Sequence, residues 1–130
     1  MEFFRELPLS PGEERLQRDL TIATLSRWCT AIDAVLSASG EQGEIYCLWG
    51  GFEVHRECIR GGVRFTLPRC PNALAWTITC GDGATTLHCT INRRDHDPAF
   101  IDSIGEFLDA WIRGLACRYS TTDPLGPPCG

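Results

Sequence analysis

The densest group of reactive side chains is the run from Arg93 to Asp97, which Pro98 follows directly. Two guanidinium groups and the free N–H groups of a helix start could bind a phosphate or a carboxylate, with His96 as an acid or base. Asp97 could instead cap the helix with its own carboxylate, with Pro98 at the first helical position. We favour the cap; the alternative is an anion site made by Arg93, Arg94 and His96.

Eight cysteines raise the question of disulfides or zinc. No C-x2-C pair occurs, and the cysteines recur about once per predicted strand or turn, so neither a zinc site nor a disulfide framework is predicted. Four are expected to point inward as free thiols that pack as small apolar groups: Cys29, Cys47, Cys80 and Cys89. Cys70 and Cys129 are the exposed candidates for reactivity, since the guanidinium of Arg69 would lower the pKa of the Cys70 thiol.

Two histidines, His55 and His88, have the same outward phase on their predicted strands. A metal site formed by both with a strand-end cysteine is the weakest hypothesis, because a third ligand is not evident. No metal, no cofactor and no catalytic residue is predicted. The sequence contains no phosphate loop or nucleophile motif, so we lean against an enzyme.

Five β-type runs lie between Glu44 and Asn92. Gly50-Gly51 predicts a two-residue hairpin turn that pairs Trp49 with Phe52 and Cys47 with Val54. That register places five residues on the core face: Ile45, Cys47, Trp49, Phe52 and Val54. The last hairpin must have an even number of loop residues, either a type II′ turn at Gly81-Asp82 or a four-residue loop ending at Ala84.

A helical pattern precedes these strands and another follows them. Ser10 to Glu13 fits a capping box, an apolar stripe continues to Leu36, and Gly40 fits the end of the helix. The second helix has the cleaner stripe: Phe100, Ile101, Ile104, Phe107, Leu108, Trp111, Ile112 and Leu115. We therefore predict residues 1–9 as an N-terminal extension, 10–118 as one domain and 119–130 as a flexible tail.

The predicted fold class is α+β. Helix, five antiparallel strands and helix form a two-layer sandwich, in which the strands make a meander and both helices cover one sheet face. The four tryptophans fall in inward phase, which indicates core packing rather than an aromatic binding box. This order of elements resembles that of frataxins and, loosely, of small secretion chaperones. The first helix lacks the acidic ridge of a frataxin-like iron site, and no shared motif transfers a function.

Charge and composition narrow the function classes. All twelve basic residues are arginine, the net charge is −5 and the pI is about 5.1, which disfavours nucleic-acid binding. Arginine- and alanine-rich usage suggests a bacterial source. The chain lacks an apolar run of about 20 residues and a signal-like start, so a cytoplasmic protein without membrane contact is expected.

The leading functional hypothesis is a non-catalytic interaction or adaptor module. Its partner would be another protein or a second copy, which binds an outward sheet face: Tyr46, Leu48, His55, Ile59, Arg64 and His88. The second hypothesis is a small anion-binding protein or enzyme centred on the residues before the second helix. Metal binding is the third.

Overall fold

The computed structural model describes residues 1–92 and 96–119. Within these ranges the chain forms seven β-strands, three α-helices and one 3-10 turn. In chain order they are β1 (Glu2–Leu7), α1 (Glu13–Asp19), the 3-10 turn (Ile22–Thr24), α2 (Leu25–Trp28), β2 (Ile32–Ser39), β3 (Gln42–Cys47), β4 (Gly50–Ile59), β5 (Gly62–Thr66), β6 (Ala75–Gly81), β7 (Ala84–Thr90) and α3 (Pro98–Tyr119).

All seven strands belong to one antiparallel sheet with the order β1-β7-β6-β5-β4-β3-β2. Strands β2 to β7 form a meander, and β1 returns to pair with β7. The predicted α+β class with an antiparallel sheet and a C-terminal helix is confirmed. The prediction of five strands is wrong, because β1 and β2 also belong to the sheet.

Strand β2 was predicted as part of the first helix. Its apolar residues Ile32, Val35 and Leu36 have helix-like spacing, but register shifts between Ile32 and Ala34 and between Val35 and Ser37 interrupt the strand. A bulge adds one residue, so side chains three positions apart can share a sheet face. Gly40, predicted as the end of a helix, has a φ of 62° and lies in the turn between β2 and β3.

Strand β1 lies in a segment to which the sequence analysis assigned no element. Phe3 pairs with Cys89, Arg5 with Leu87 and Leu7 with Thr85. The side chains of these β1 residues therefore share the face of the sheet that bears the core, which we call the inner face. An alternation of inward and outward side chains over only six residues is a weak signal in the sequence, and the partner strand β7 lies about 80 residues further along the chain.

The first predicted hairpin has a different turn. Ile45 pairs with Phe52 and Cys47 with Gly50, so the two-residue turn is Leu48-Trp49 rather than Gly50-Gly51. The register differs from the prediction by four residues, an even number, so the predicted inward faces of β3 and β4 survive. In the last hairpin Gly81 pairs with Ala84 across Asp82-Gly83, both with positive φ. The even loop is confirmed, but its type is I′ rather than II′.

The N-terminal helical region is shorter than predicted. Helix α1 begins at Glu13 after Gly12 and has no side-chain cap, so the capping box at Ser10 is wrong. A capping box is present instead between Thr21 and Thr24 at the 3-10 turn. Helix α3 spans the predicted apolar stripe, and its buried residues are Ile104, Phe107, Leu108, Ala110, Trp111 and Leu115.

The predicted packing of both helices side by side on one sheet face is wrong. Helix α3 contacts β1 and β7, whereas α1 contacts β5 and β6, and α2 contacts the edge strand β2 and α3. The core lies between the inner sheet face and α3. Four large side chains at its centre are at most 1% exposed: Phe65, Trp76, Phe107 and Trp111.

One buried cation ties α1 to the sheet. The guanidinium of Arg56 on β4 donates to the backbone carbonyl of Leu20 at 2.7 Å and to that of Gln17, at the end of α1. It also donates to both carboxylate oxygens of Glu41, at 3.0 and 2.9 Å. The Arg56 side chain is only 7% exposed. These bonds satisfy carbonyls that the end of a helix leaves free.

Candidate functional site: an arginine groove

The segment before α3, where the cap was predicted and an anion site was the alternative, is described only in part. Arg93 and Arg94 lie outside the described residues. His96 is half-buried, and its ring centroid is 5.3 Å from that of Phe100. The Asp97 carboxylate accepts a hydrogen bond from the backbone N–H of Ala99 at 2.9 Å. Asp97 therefore occupies the start of α3 as an N-cap would.

The six residues of the predicted interaction face differ in exposure. Tyr46 and Leu48 are exposed, and Ile59 is half-buried. The three charged or titratable members each have an acidic neighbour: His55 lies 3.2 Å from Glu53, His88 lies 2.9 Å from Glu2, and Arg64 lies 3.8 Å from Glu57. The pairing order places Arg64 and His88 on either side of Thr77.

The structure does not bring the two histidines together. His55 lies on β4 and His88 on β7, three strand spacings apart or roughly 14 Å. The His88 ring is stacked on Phe4 at 4.4 Å. Among residues 1–92 and 96–119, no three His, Cys, Asp or Glu side chains converge in a way that could hold a metal ion.

The cysteines behave mainly as packing groups. Cys29, Cys47 and Cys89 are buried free thiols, Cys80 and Cys70 are partly buried, and Cys58 is exposed. Burial raises the pKa of Cys29 and of Cys89 to about 12 and also raises that of Cys47. These three thiols stay protonated at neutral pH and are poor nucleophiles. Cys117 is disulfide-bonded, and Cys129 lies outside the described residues.

A cationic groove lies where α1, the 3-10 turn and α2 meet the last turn of α3. Its volume is about 410 Å³. We call it the arginine groove, and it is lined by Arg15, Arg18, Asp19, Thr21, Thr24, Arg27, Trp28, Arg118 and Tyr119. Four guanidinium groups therefore face one carboxylate, in a chain whose net charge is −5.

Two of the four arginines lie over aromatic rings. The guanidinium carbon of Arg15 is 5.0 Å from the centroid of the Tyr119 ring, and that of Arg118 is 5.2 Å from the Trp28 ring. The two rings are themselves 5.2 Å apart. Cation–π contacts of this kind hold a guanidinium in place without consuming its N–H donors. Among the described residues no hydrogen bond or ion pair engages the N–H donors of Arg15 and Arg118, which leaves them available to an anion.

Asp19 links the remaining parts of the groove. Its carboxylate accepts from Arg18 Nε at 2.8 Å and from the Tyr119 hydroxyl at 3.0 Å. The hydrogen bond from Arg18 lowers the pKa of Asp19 against the opposing effect of burial. Burial, followed by the bond to Asp19, raises the pKa of Tyr119. At neutral pH the acid is therefore ionised and the phenol is protonated.

A pocket on the outer sheet face has a balanced charge. Its volume is about 310 Å³, and its lining contains two acids and two arginines. They form two pairs: Arg56 donates to Glu41, and Arg64 lies 3.8 Å from Glu57. The charges of this pocket are thus neutralised internally, whereas the described lining of the arginine groove has four arginines and one carboxylate.

The sequence analysis missed the arginine groove. Its four cations are Arg15, Arg18, Arg27 and Arg118. They come together only because α2 packs against the C-terminal part of α3. No motif marks them. Three of these arginines lie between residues 15 and 27, where they were predicted to form the polar side of a long helix.

The comparisons with known proteins agree with this architecture. No protein-family model matches the chain, and no curated protein matches it. Among solved structures, a START superfamily protein from Mycobacterium smegmatis is similar with a TM-score of 0.57. The fold is START-like. The two chains are 14% identical, and the match covers 92% of this chain and 96% of the other, so the likeness concerns the fold alone.

The START-like arrangement replaces the predicted frataxin-like order of elements. A sheet that packs around a helix encloses a space, which either side chains or a ligand must fill. Here Trp76 contacts Phe107 with a centroid distance of 5.0 Å and Phe65 with one of 5.4 Å, and Trp111 lies 6.4 Å from Trp76. Aromatic side chains occupy the centre of this space in the described part of the chain. In the described part of the chain, no helix has the length and apolar character needed to span a membrane.

Proposed function

We propose that this protein is a non-catalytic binding module that captures an anionic ligand in the arginine groove. The observation that carries the proposal is the unbalanced charge of the groove, where four arginines face one aspartate. Guanidinium groups present planar forks that suit phosphate and carboxylate oxygens. The groove is too open to enclose a ligand, so charge and hydrogen bonds must supply most of the affinity.

Preorganisation supports this role. Arg15 and Arg118 rest on aromatic rings, and Arg18 is held by Asp19. A side chain that is already held loses less conformational freedom when it binds a ligand. Within the described part of the chain Arg27 forms no ion pair, and it is exposed, so it is the cation most open to a ligand.

The groove is better suited to binding than to catalysis. A general acid or base works best with a pKa near the working pH. The pKa of Asp19 is lowered and that of Tyr119 is raised, so both move away from neutrality. The other lining side chains are arginine, threonine and tryptophan. A ligand-binding role also suits the START-like fold, although we assign it to the groove rather than to the filled interior.

Thermal unfolding with and without sodium phosphate tests the proposal. A ligand at ten times its Kd stabilises the folded state by about 1.4 kcal/mol, which corresponds to a few degrees in Tm. We expect 10 mM phosphate to raise the Tm of the wild type. Arg27→Ala and Arg118→Ala should abolish most of this rise.

Arg60→Ala is the matched control, because Arg60 is exposed in the turn between β4 and β5 and lies outside the groove. It should keep the full phosphate response. An ionic-strength control with sodium chloride separates specific binding from general screening. A phosphate response that is absent, or that survives in both groove variants, contradicts the proposal.

A second candidate function is docking of another protein at the β2–β3 edge. Three of the exposed large apolar side chains lie there: Leu36, Tyr46 and Leu48. Leu36 shares a surface pocket with Gly51, and Gly51 is paired with Tyr46. Concentration-dependent light scattering of the wild type and of Tyr46→Ser tests for self-association. A monomer at all concentrations in both proteins would exclude a second copy as the partner.

A further inference from the structure

A second, smaller pocket adjoins the arginine groove. Its volume is about 80 Å³, and it shares Arg27 and Trp28 with the groove. We call it the side cavity, and its other lining residues are Thr30, Ala110, Arg113, Gly114 and Cys117. The two pockets together are lined by five of the twelve arginines of the chain.

The side cavity lies beside a close contact of two helices. A Cβ atom at Gly114 on α3 would overlap the backbone carbonyl of Trp28, so glycine is required for this approach. Apolar side chains form part of its wall: Trp28, which is 6% exposed, and Ala110, which is 3% exposed. The cationic residues Arg27 and Arg113 are exposed. The cavity therefore offers apolar walls next to a charged groove.

We propose that the ligand of the arginine groove is an organic anion with a short apolar substituent. Its charged group lies among Arg18, Arg27 and Arg118, and its substituent enters the side cavity next to Trp28. This inference rests on the proposed function and adds the chemical class of the ligand. Phosphate monoesters and small carboxylic acids share the required chemistry.

The size of the side cavity limits the substituent. An engineered cavity of about 150 Å³ accommodates benzene, so a cavity of about 80 Å³ holds about three carbon atoms. Burying one methylene group tightens binding by about fourfold. Affinity should therefore increase along a homologous series up to a propyl group and then level off.

Calorimetric titration with inorganic, methyl, ethyl, propyl, butyl and hexyl phosphate tests this inference on the full chain. For the wild type we expect the Kd to decrease about fourfold per carbon up to propyl and to stay constant for longer esters. The Kd should also decrease in the order formate, acetate, propionate and butyrate. Such a decrease would show that the apolar substituent, rather than the phosphate group, causes the dependence on chain length.

Two variants test the location of the substituent. Thr30→Leu fills the mouth of the side cavity from an exposed position, and Ala110→Val fills it from α3. Each should remove the dependence on chain length and leave the Kd for inorganic phosphate nearly unchanged. Thr30→Leu keeps the test decisive if Ala110→Val fails to fold.

The outcomes distinguish the two proposals. If inorganic phosphate binds to the groove but the esters bind no tighter, the side cavity is not used and this inference is wrong, while the proposed function stands. Continued tightening beyond propyl, or a chain-length dependence that survives in Thr30→Leu, also overturns it. If neither phosphate nor any ester binds, the proposed function itself is wrong.

Discussion

Two regions of the molecule differ in their side chains. The core between the sheet and α3 is centred on aromatic side chains, whereas the groove at the end of α3 is lined by four arginines and one aspartate. The core contains Phe65, Trp76, Phe107 and Trp111, all nearly inaccessible. The groove contains exposed arginines that are held in place by aromatic rings and by Asp19. In the first region aromatic groups pack against each other, and in the second they support cations.

In the proposed function, a START-like fold packs aromatic side chains at its centre and binds its ligand outside that core. Large aromatic side chains stabilise the fold by burial but leave little room for a ligand. The groove lies instead at the surface where the three helices meet. Its charged groups are exposed to solvent there, so they carry little desolvation penalty. Its existence still depends on the core, because α1, α2 and α3 converge only when the sheet is formed.

The largest expected effects follow from emptying the core. Trp111→Ala and Trp76→Ala should each destabilise the protein by about 3 to 5 kcal/mol in chemical denaturation. Thr77→Ala, on the outer face of the same strand as Trp76, is the control and should change stability little. The indole N–H groups of both tryptophans are buried without a hydrogen-bond partner in the described structure. Trp111→Phe should therefore cost clearly less than Trp111→Ala, and equal costs would contradict this account of the core.

The Arg56 side chain connects the two regions and should have the next largest effect. Arg56→Ala leaves the carbonyls of Gln17 and Leu20 without their donor, at a cost of about 2 to 4 kcal/mol. Because α1 carries Arg15 and Arg18, the same variant should also weaken phosphate binding when it is folded. Urea denaturation and calorimetry measure the two effects separately. Unchanged stability would mean that the end of α1 does not depend on this buried cation.

The start of α3 provides a smaller effect that tests the predicted cap. Asp97→Ala should cost about 0.5 to 2 kcal/mol, because it removes the acceptor of the Ala99 N–H. Arg93→Ala, Arg94→Ala and His96→Ala are expected to change stability and phosphate binding little. Loss of phosphate binding in either arginine variant would instead support the anion site predicted before the second helix.

The smallest effect concerns Asp19, the one carboxylate that lines the groove among residues 1–92 and 96–119. The lowered pKa of Asp19 means that this carboxylate stabilises the folded state above its unfolded pKa of about 3.9, and that the contribution disappears as the pH falls through the lower folded value. Asp19→Asn should flatten that part of the acid-induced loss of stability. At pH 7 it should also tighten phosphate binding, because it removes a competing negative charge. Weaker phosphate binding in this variant would show that Asp19 positions Arg18 more than it repels the ligand.

The sequence predicted some parts of this molecule well for identifiable reasons. Helix α3 combines a regular apolar stripe with Asp97 and Pro98 at its start, so local and tertiary preferences agree. The inner faces of β3 and β4 were correct although the turn was misplaced, because an even register error preserves the phase. The long first helix was wrong because bulges in β2 imitate helical spacing.

The groove could not be predicted in the same way. Arg27 and Arg118 are 91 positions apart, and nothing in either local segment indicates that α2 and α3 meet at Gly114. The contact depends on the whole sheet, and a single sequence contains no pairwise signal for it. Arg93 and Arg94 were considered instead because they directly precede the start of a helix, whose free N–H groups could join them in binding an anion.

The central claim is that an anion binds at the groove and not in the core. Titration with phosphate, followed by two-dimensional ¹H–¹⁵N NMR at pH 7, tests it through the four tryptophan indole signals. Phosphate should shift the indole signal of Trp28 and leave those of Trp76 and Trp111 unchanged, and Arg27→Ala should suppress the shift. Shifts at Trp76 and Trp111 with Trp28 unaffected would place the ligand between the sheet and α3 and would contradict this account.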